Sequence, residues 1–104
     1  MPDAVSGVVP VYSSVVVSGV STNANVAPTL TQNAITAIDS TYSVLSFGNT
    51  LLLSSLIANI ADATAPYMTN LAVYLLDHTG ASVSGITTIY NERNILQTAT
   101  VNIT

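Results

Sequence analysis

The segment from Leu45 to Leu76 most constrains what this chain can fold into, because its apolar spacing changes twice within a short distance. Leu45 closes a helical stripe, Gly48 and Asn49 interrupt it, and Thr50 to Leu53 steps forward as a brief extended run. A second helical face follows in Leu56, Ile57, Ile60 and Ala61, with Ser54 placed to cap its start. Ala65-Pro66 closes that helix, since the residue before a proline is pushed out of the α region. Thr69 to Leu76 is then almost continuously apolar, as a central strand would be. Two amphipathic helices and a buried strand in such close succession need a sheet on which all three can pack.

The flanking sequence supplies that sheet. Residues 1–7 form an irregular lead-in containing Pro2, Asp3 and Gly7. From Val8 to Val17 the chain is rich in valine and serine, with Val9, Val11, Val15 and Val17 on one face. The other face carries Val8, Tyr12 and Val16 among Pro10, Ser14 and Ser18, so the strand is covered on one side and half covered on the other. Pro10 belongs near the strand start or on an edge, because it cannot donate to a ladder. Gly19 to Asn25 reads as a loop, with Asn25 or a neighbour capping the next helix and Pro28 accommodated in its first turn.

Ala27 to Leu45 is the clearest amphipathic helix: Leu30, Ala34, Ala37, Ile38, Tyr42 and Leu45 form one stripe. Beyond the central strand, Asp77 to Gly80 is a turn and Ser82 to Tyr90 a second strand. Asn91 to Asn94 is expected to be a loop. Ala99, Val101 and Ile103 alternate with Thr98, Thr100, Asn102 and Thr104 as a half-buried terminal strand. The expected fold is one α+β domain over residues 1–104. It is a small sandwich of two helices packed on one face of a three- to four-stranded, mainly antiparallel sheet, whose other face is hydroxyl-rich.

Charge is scarce. One arginine, no lysine and five carboxylates make 6% of the chain, against about 25% in ordinary soluble domains. Charge repulsion is what ordinarily keeps small domains apart, so a surface this neutral suits burial against neighbours in an assembly. A single arginine builds no basic face, which argues against nucleic acid and against anionic membrane surfaces as partners. The apolar run from Leu51 to Ala61 is too short to span a bilayer, and the N-terminus has no positively charged segment of the secretory type. There is no cysteine, so thiol chemistry and thiolate metal sites are excluded.

Residues able to do chemistry are few and dispersed. His78 stands beside Asp77 in a turn, a setting that makes a solvated histidine far commoner than a general base. Asp39, Asp62 and Asp77 fall on separate elements, with no spacing that pairs two carboxylates. Ser54-Ser55 lacks the glycines of a nucleophile elbow, and Gly48 alone makes no phosphate loop. No catalytic, cofactor-binding or metal-ligating residues are therefore assigned, and no enzyme activity or cofactor is expected. Glu92-Arg93 reads most simply as a solvated loop; because charge is so rare here, the sharper reading makes Glu92 and Arg93, with Tyr90 beside them, the candidate contact residues for a partner subunit.

Several of these motifs recur together elsewhere. Gly48-Asn49-Thr50 runs into Leu53-Ser54-Ser55-Leu56-Ile57-Ala58-Asn59-Ile60, and Leu71-Ala72-Val73-Tyr74 follows. Asn91-Glu92-Arg93-Asn94-Ile95-Leu96 then precedes the alternating strand from Thr98 to Ile103. In this order, after a valine-rich strand and an amphipathic helix, they resemble the C-terminal region of the phage baseplate wedge family known as baseplate J-like proteins. The resemblance implies a structural protein of the virion, one that surrounds the central hub of a contractile tail. Its implied partners are other baseplate, wedge and hub proteins, in multiple copies within a symmetric assembly, and it carries over no catalytic residue. The alternative from composition is a pilus-like surface fibre subunit that polymerises by strand exchange. That reading calls for a nearly all-β module.

Overall fold

The computed structural model describes residues 9–104; Val8 and the lead-in at 1–7 lie outside the described residues. The elements in chain order are β1 (Val9–Ser21), a 3-10 turn (Ala24–Val26), α1 (Ala27–Ser43), β2 (Leu51–Leu52) and α2 (Leu53–Thr64). They are followed by β3 (Met68–Leu76), β4 (Ser82–Val83), β5 (Gly85–Ile86) and β6 (Glu92–Ile103). β4, β3, β1 and β6 form the main sheet in that order, and β2 pairs with β5 as a separate two-stranded ribbon. The fold is α+β, with both helices packed on a mixed four-stranded sheet. α1 lies over β6 and α2 over β3.

Alternation along β1 sets the two faces. Val15 and Val17 point toward the helices and are fully buried, and the register places them beside Leu75 and Val73 of β3 and Ala99 and Val101 of β6. Ala34, Ala37, Ile38 and Tyr42 of α1 and Leu56 and Ile60 of α2 complete that core. Each fully buried Ile or Leu here contributes about 1.5–3 kcal/mol through removal of apolar surface from water. The opposite sheet face carries Ser14, Val16, Ser18, Tyr74, Thr98, Thr100 and Asn102, a hydroxyl-rich surface with no helix over it among the described residues.

Hydroxyl and amide groups pair between β1, α1 and α2. The Ser13 and Tyr42 hydroxyls meet at 2.6 Å, joining β1 to α1 in the core. Between the helices, Asn59 Nδ2 donates to Thr41 Oγ1 at 2.8 Å, and Thr41 Oγ1 donates to the Ala37 carbonyl one turn back. These bonds hold the crossing of two helices whose contact surfaces are otherwise built from small and branched residues.

Five sequence expectations are corrected, each for a traceable reason. β1 continues to Ser21, so the loop begins at Thr22, and Asn23 is the residue whose side chain accepts from Asn25 N–H in the 3-10 turn before α1. Ser54 does not cap α2: the helix starts at Leu53, and Leu53 N–H donates to the Ser84 carbonyl. Leu52 occupies the N-cap position in extended conformation, and no side chain caps the helix start. Ser82 to Tyr90 is not one strand, because the chain leaves β3 after Val83 and joins β2 at Gly85. Asn91 to Asn94 is not a loop, because Glu92 opens β6, in register with Val9. Finally, α1 ends at Ser43, ahead of Leu45, and the turn at Gly48 adopts φ +77°, where glycine is favoured.

Pro10 sits where its missing N–H does least harm. Val9 N–H donates to the Asn91 carbonyl, so Val9 faces β6 and Pro10 faces the opposite side. β3 pairs with β1 only from Ser14 onward, so that side of Pro10 has no ladder to interrupt. The Ala65–Pro66 peptide is cis. In β3, Asn70 takes φ +53° at a register shift opposite Ser18 and Val20, a left-handed position that asparagine tolerates.

Removing the Tyr42 hydroxyl tests the core bond. Tyr42→Phe strands the buried Ser13 hydroxyl and should cost about 1–3 kcal/mol in urea unfolding. Burial raises the Tyr42 pKa above its ordinary 10.0, partly offset by the Ser13 hydrogen bond. The folded state therefore holds the phenolic proton more tightly than the unfolded chain. Stability attributable to this group is complete below the unfolded pKa and declines as pH rises through the folded value. Wild-type protein should lose stability in that alkaline window, and Tyr42→Phe should lose less across the same pH series.

Candidate functional site

The candidate contact residues gather at one end of the sheet, where two loops are strapped together. Gly48 N–H donates to the Glu92 carbonyl at 2.9 Å, Arg93 Nε donates to the Leu45 carbonyl at 3.2 Å, and Glu92 N–H donates to the Ile89 carbonyl. The Glu92 carboxylate accepts from Ile89 N–H at 3.0 Å, closing the turn before β6 from the side-chain direction as well. A methyl group at Gly48 would lie 3.5 Å from Tyr90 Cα, so the two segments approach at backbone distance.

Asn94 is the buried pin beneath this corner. It is 1% exposed, and its amide nitrogen donates to the carbonyls of Asn49 and Ile86 at 3.2 and 3.3 Å. Thr88 Oγ1 donates to the same Asn49 carbonyl at 2.8 Å. One backbone oxygen thereby gathers three segments: the turn after α1, the stretch after β5, and β6. The Asn94 and Asn91 side-chain oxygens are buried without a partner.

What the corner presents outward is apolar. Val44 is 76% exposed, Phe47 46%, Ile89 59% and Tyr90 85%, all on the two strapped segments. Tyr90 is thus fully available for contact. Glu92 and Arg93 are half-buried, and each makes one side-chain hydrogen bond to the protein's own backbone. Sequence reasoning missed Val44, Phe47 and Ile89. Val44 and Phe47 flank the end of a helical stripe and Ile89 was assigned to a strand interior, so exposure could not be read from their type.

His78 lies elsewhere in the same region, lining an open groove of about 370 Å³ with Val9, Pro10, Val11, Tyr12 and Glu92. Among the described residues, none of those lining the groove is a serine, threonine or cysteine. Asp77 is committed to its turn. Its Oδ1 accepts from the Thr79 hydroxyl at 2.6 Å and from the N–H groups of Thr79 and Ala81. The Thr79 hydrogen bond chiefly holds its carboxyl below the ordinary carboxylate range. Asp39 and Asp62 are exposed on α1 and α2. Among the described residues no three His, Cys, Asp or Glu side chains converge, and no helix is long and apolar enough to cross a membrane. No family model matches the chain, and no curated protein matches it either.

Asn94→Ala removes both donors to the corner and should destabilise the fold by about 1–3 kcal/mol in chemical denaturation. Amide hydrogen exchange should accelerate most in the turn at 46–50 and in the stretch at 86–91, with the core of β1 affected only through the global change.

Proposed function

We propose that this protein is a non-catalytic structural component of a contractile phage tail baseplate, a wedge subunit or wedge domain that makes subunit–subunit contacts around the central hub. The observation that carries the reading is the apolar corner: Val44, Phe47, Ile89 and Tyr90 are displayed on two short segments held rigid by Asn94, Gly48 and Arg93. Large aromatic and aliphatic side chains on a preorganised support are the usual anchors of protein–protein contacts. The small number of charged residues fits the same role, since few charges would have to be desolvated at a contact. The motif order that resembles baseplate J-like proteins supplies the kind of assembly.

The pilus-like alternative loses ground on one observation. Two packed helices, Ala27–Ser43 and Leu53–Thr64, supply most of one side of the core, whereas a donor-strand fibre module should be nearly all β.

The reading is tested by co-purifying the full chain with tail proteins encoded beside its gene. Stable association with sheath-, tube- or hub-type proteins is expected. Tyr90→Ala and Phe47→Ala should each weaken it by roughly tenfold or more, in line with about 1.4 kcal/mol or more for an anchor residue. Both variants should melt within a few degrees of wild type, because neither side chain belongs to the core. A chain that ignores every such protein, or whose neighbours are unrelated to tails, overturns the proposal.

A further inference from the structure

The two edges of the main sheet are unequal. β4 covers only Leu75 and Leu76 of β3; the rest of that edge, Met68 to Tyr74, has no strand paired to its outer side among the described residues, but the left-handed Asn70 at the register shift breaks it as a template for a regular strand. β6 closes the other side with the full length from Glu92 to Ile103, and among the described residues no strand pairs with its outer side. Natural edges are ordinarily blunted by lysine, proline, an inward charge or a covering loop. The first part of β6 is covered in this way, by Gly48 N–H at the Glu92 carbonyl and by the strapped corner. Past the extra residue at Gln97, the run from Thr98 to Ile103 has none of these protections.

Backbone geometry says which groups are open. Thr104 N–H donates to the Gly19 carbonyl, and Ser21 N–H donates to the Thr104 carbonyl, so Thr104 faces β1. By alternation, Asn102, Thr100 and Thr98 also face β1, and the N–H and C=O groups of Ala99, Val101 and Ile103 face outward.

We propose that this edge pairs with the same edge of a second copy, β6 antiparallel to β6 about a two-fold axis at Val101, to give one continuous eight-stranded sheet. That register opposes Val101 to Val101, and Ala99 to Ile103, and engages all three outward residues of each copy in narrow hydrogen-bonded pairs. On the helix side, the small Ala99 faces the large Ile103, and the half-buried edges of all three residues gain cover from the partner. On the open side, Thr100 faces Asn102 and Thr98 faces Thr104, hydroxyl and amide side chains that suit cross-strand contact. No residue from Thr98 to Thr104 is charged, so identical strands meet without repulsion. The pairing is isologous and closes at two copies, unlike a strand-exchange fibre, which grows. It stands on the edge geometry and does not depend on the baseplate reading.

Light scattering coupled to size exclusion, over a concentration series reaching the high micromolar range, decides it for the full chain. Wild type is expected to approach twice the chain mass at the upper end. Thr100→Lys with Asn102→Lys places lysines opposite one another twice in the dimer, while both side chains are exposed and their backbone groups remain bonded to β1. The double variant should keep the wild-type circular dichroism and raise the dimer dissociation constant about tenfold or more at low salt. Val101→Pro removes an outward N–H and should give a monomer. Should that variant unfold, the lysine pair alone carries the test. A wild-type chain that stays monomeric throughout, or a dimer indifferent to the lysine pair, overturns the proposal. A dimer that binds no tail protein would count against the baseplate reading alone.

Discussion

The pairing of β1 with β6 is the interaction on which the rest of this structure depends. It runs from Val9↔Glu92 to Gly19↔Ile103, with one shift opposite Ser13 and Ser14, and joins the first described strand to the last. Parallel pairing cannot be made by a turn, so everything between the two strands must act as the crossover connection. Both helices, the β2–β5 ribbon and β3 lie in that connection. The core can close only when the distant ends meet, which makes one cooperative unit of a chain with little local structure able to stand alone.

From that constraint the division of labour between the ends of the sheet follows. Toward Ser21 and Ile103 the sheet is three strands wide, and its helix face is filled by Val15, Val17, Val73 and Leu75. Toward Val9 and Glu92, β3 has already ended, and among the described residues β1 has only β6 beside it. The narrow end is instead shored up by the loops after α1 and β5, through Asn94, Thr88 and Gly48. Packing supports one end; hydrogen bonds between loops support the other. It is the hydrogen-bonded end that turns large apolar side chains outward, because loops without a covering layer have no interior in which to bury them.

Scarcity of charged residues ties these features together. A chain with one arginine and no lysine cannot guard its edges or faces with charge, which is the ordinary defence against unwanted association. The irregularity at Asn70 in β3 and the strapped start of β6 protect by geometry instead. Where geometry gives no protection, at the exposed corner and along Thr98 to Ile103, association is the physical expectation.

The sequence by itself determined the elements whose residues carry a strong period: α1 from its Leu30–Tyr42 stripe, β3 from its apolar run, and the alternation of the terminal strand. It also determined that two helices must share one face of a sheet, since only one side of each helix is apolar. Tertiary structure alone decided the rest. Whether Asn91 to Asn94 was loop or strand depended on Val9 arriving beside it, and the start of α2 at Leu53, with Leu52 and not Ser54 at the N-cap, went with the pairing of Leu52 to Gly85. The split of the segment after Ser82 between two sheets has no periodic signature, because each piece is only two residues long. For the candidate site, charge rarity drew notice to Glu92 and Arg93, and the fold put their side chains to internal use. The residues that face outward beside them, Val44, Phe47 and Ile89, look like core residues in a linear sequence. Exposure is a property of what packs on top, and that is set by contacts between distant parts of the chain.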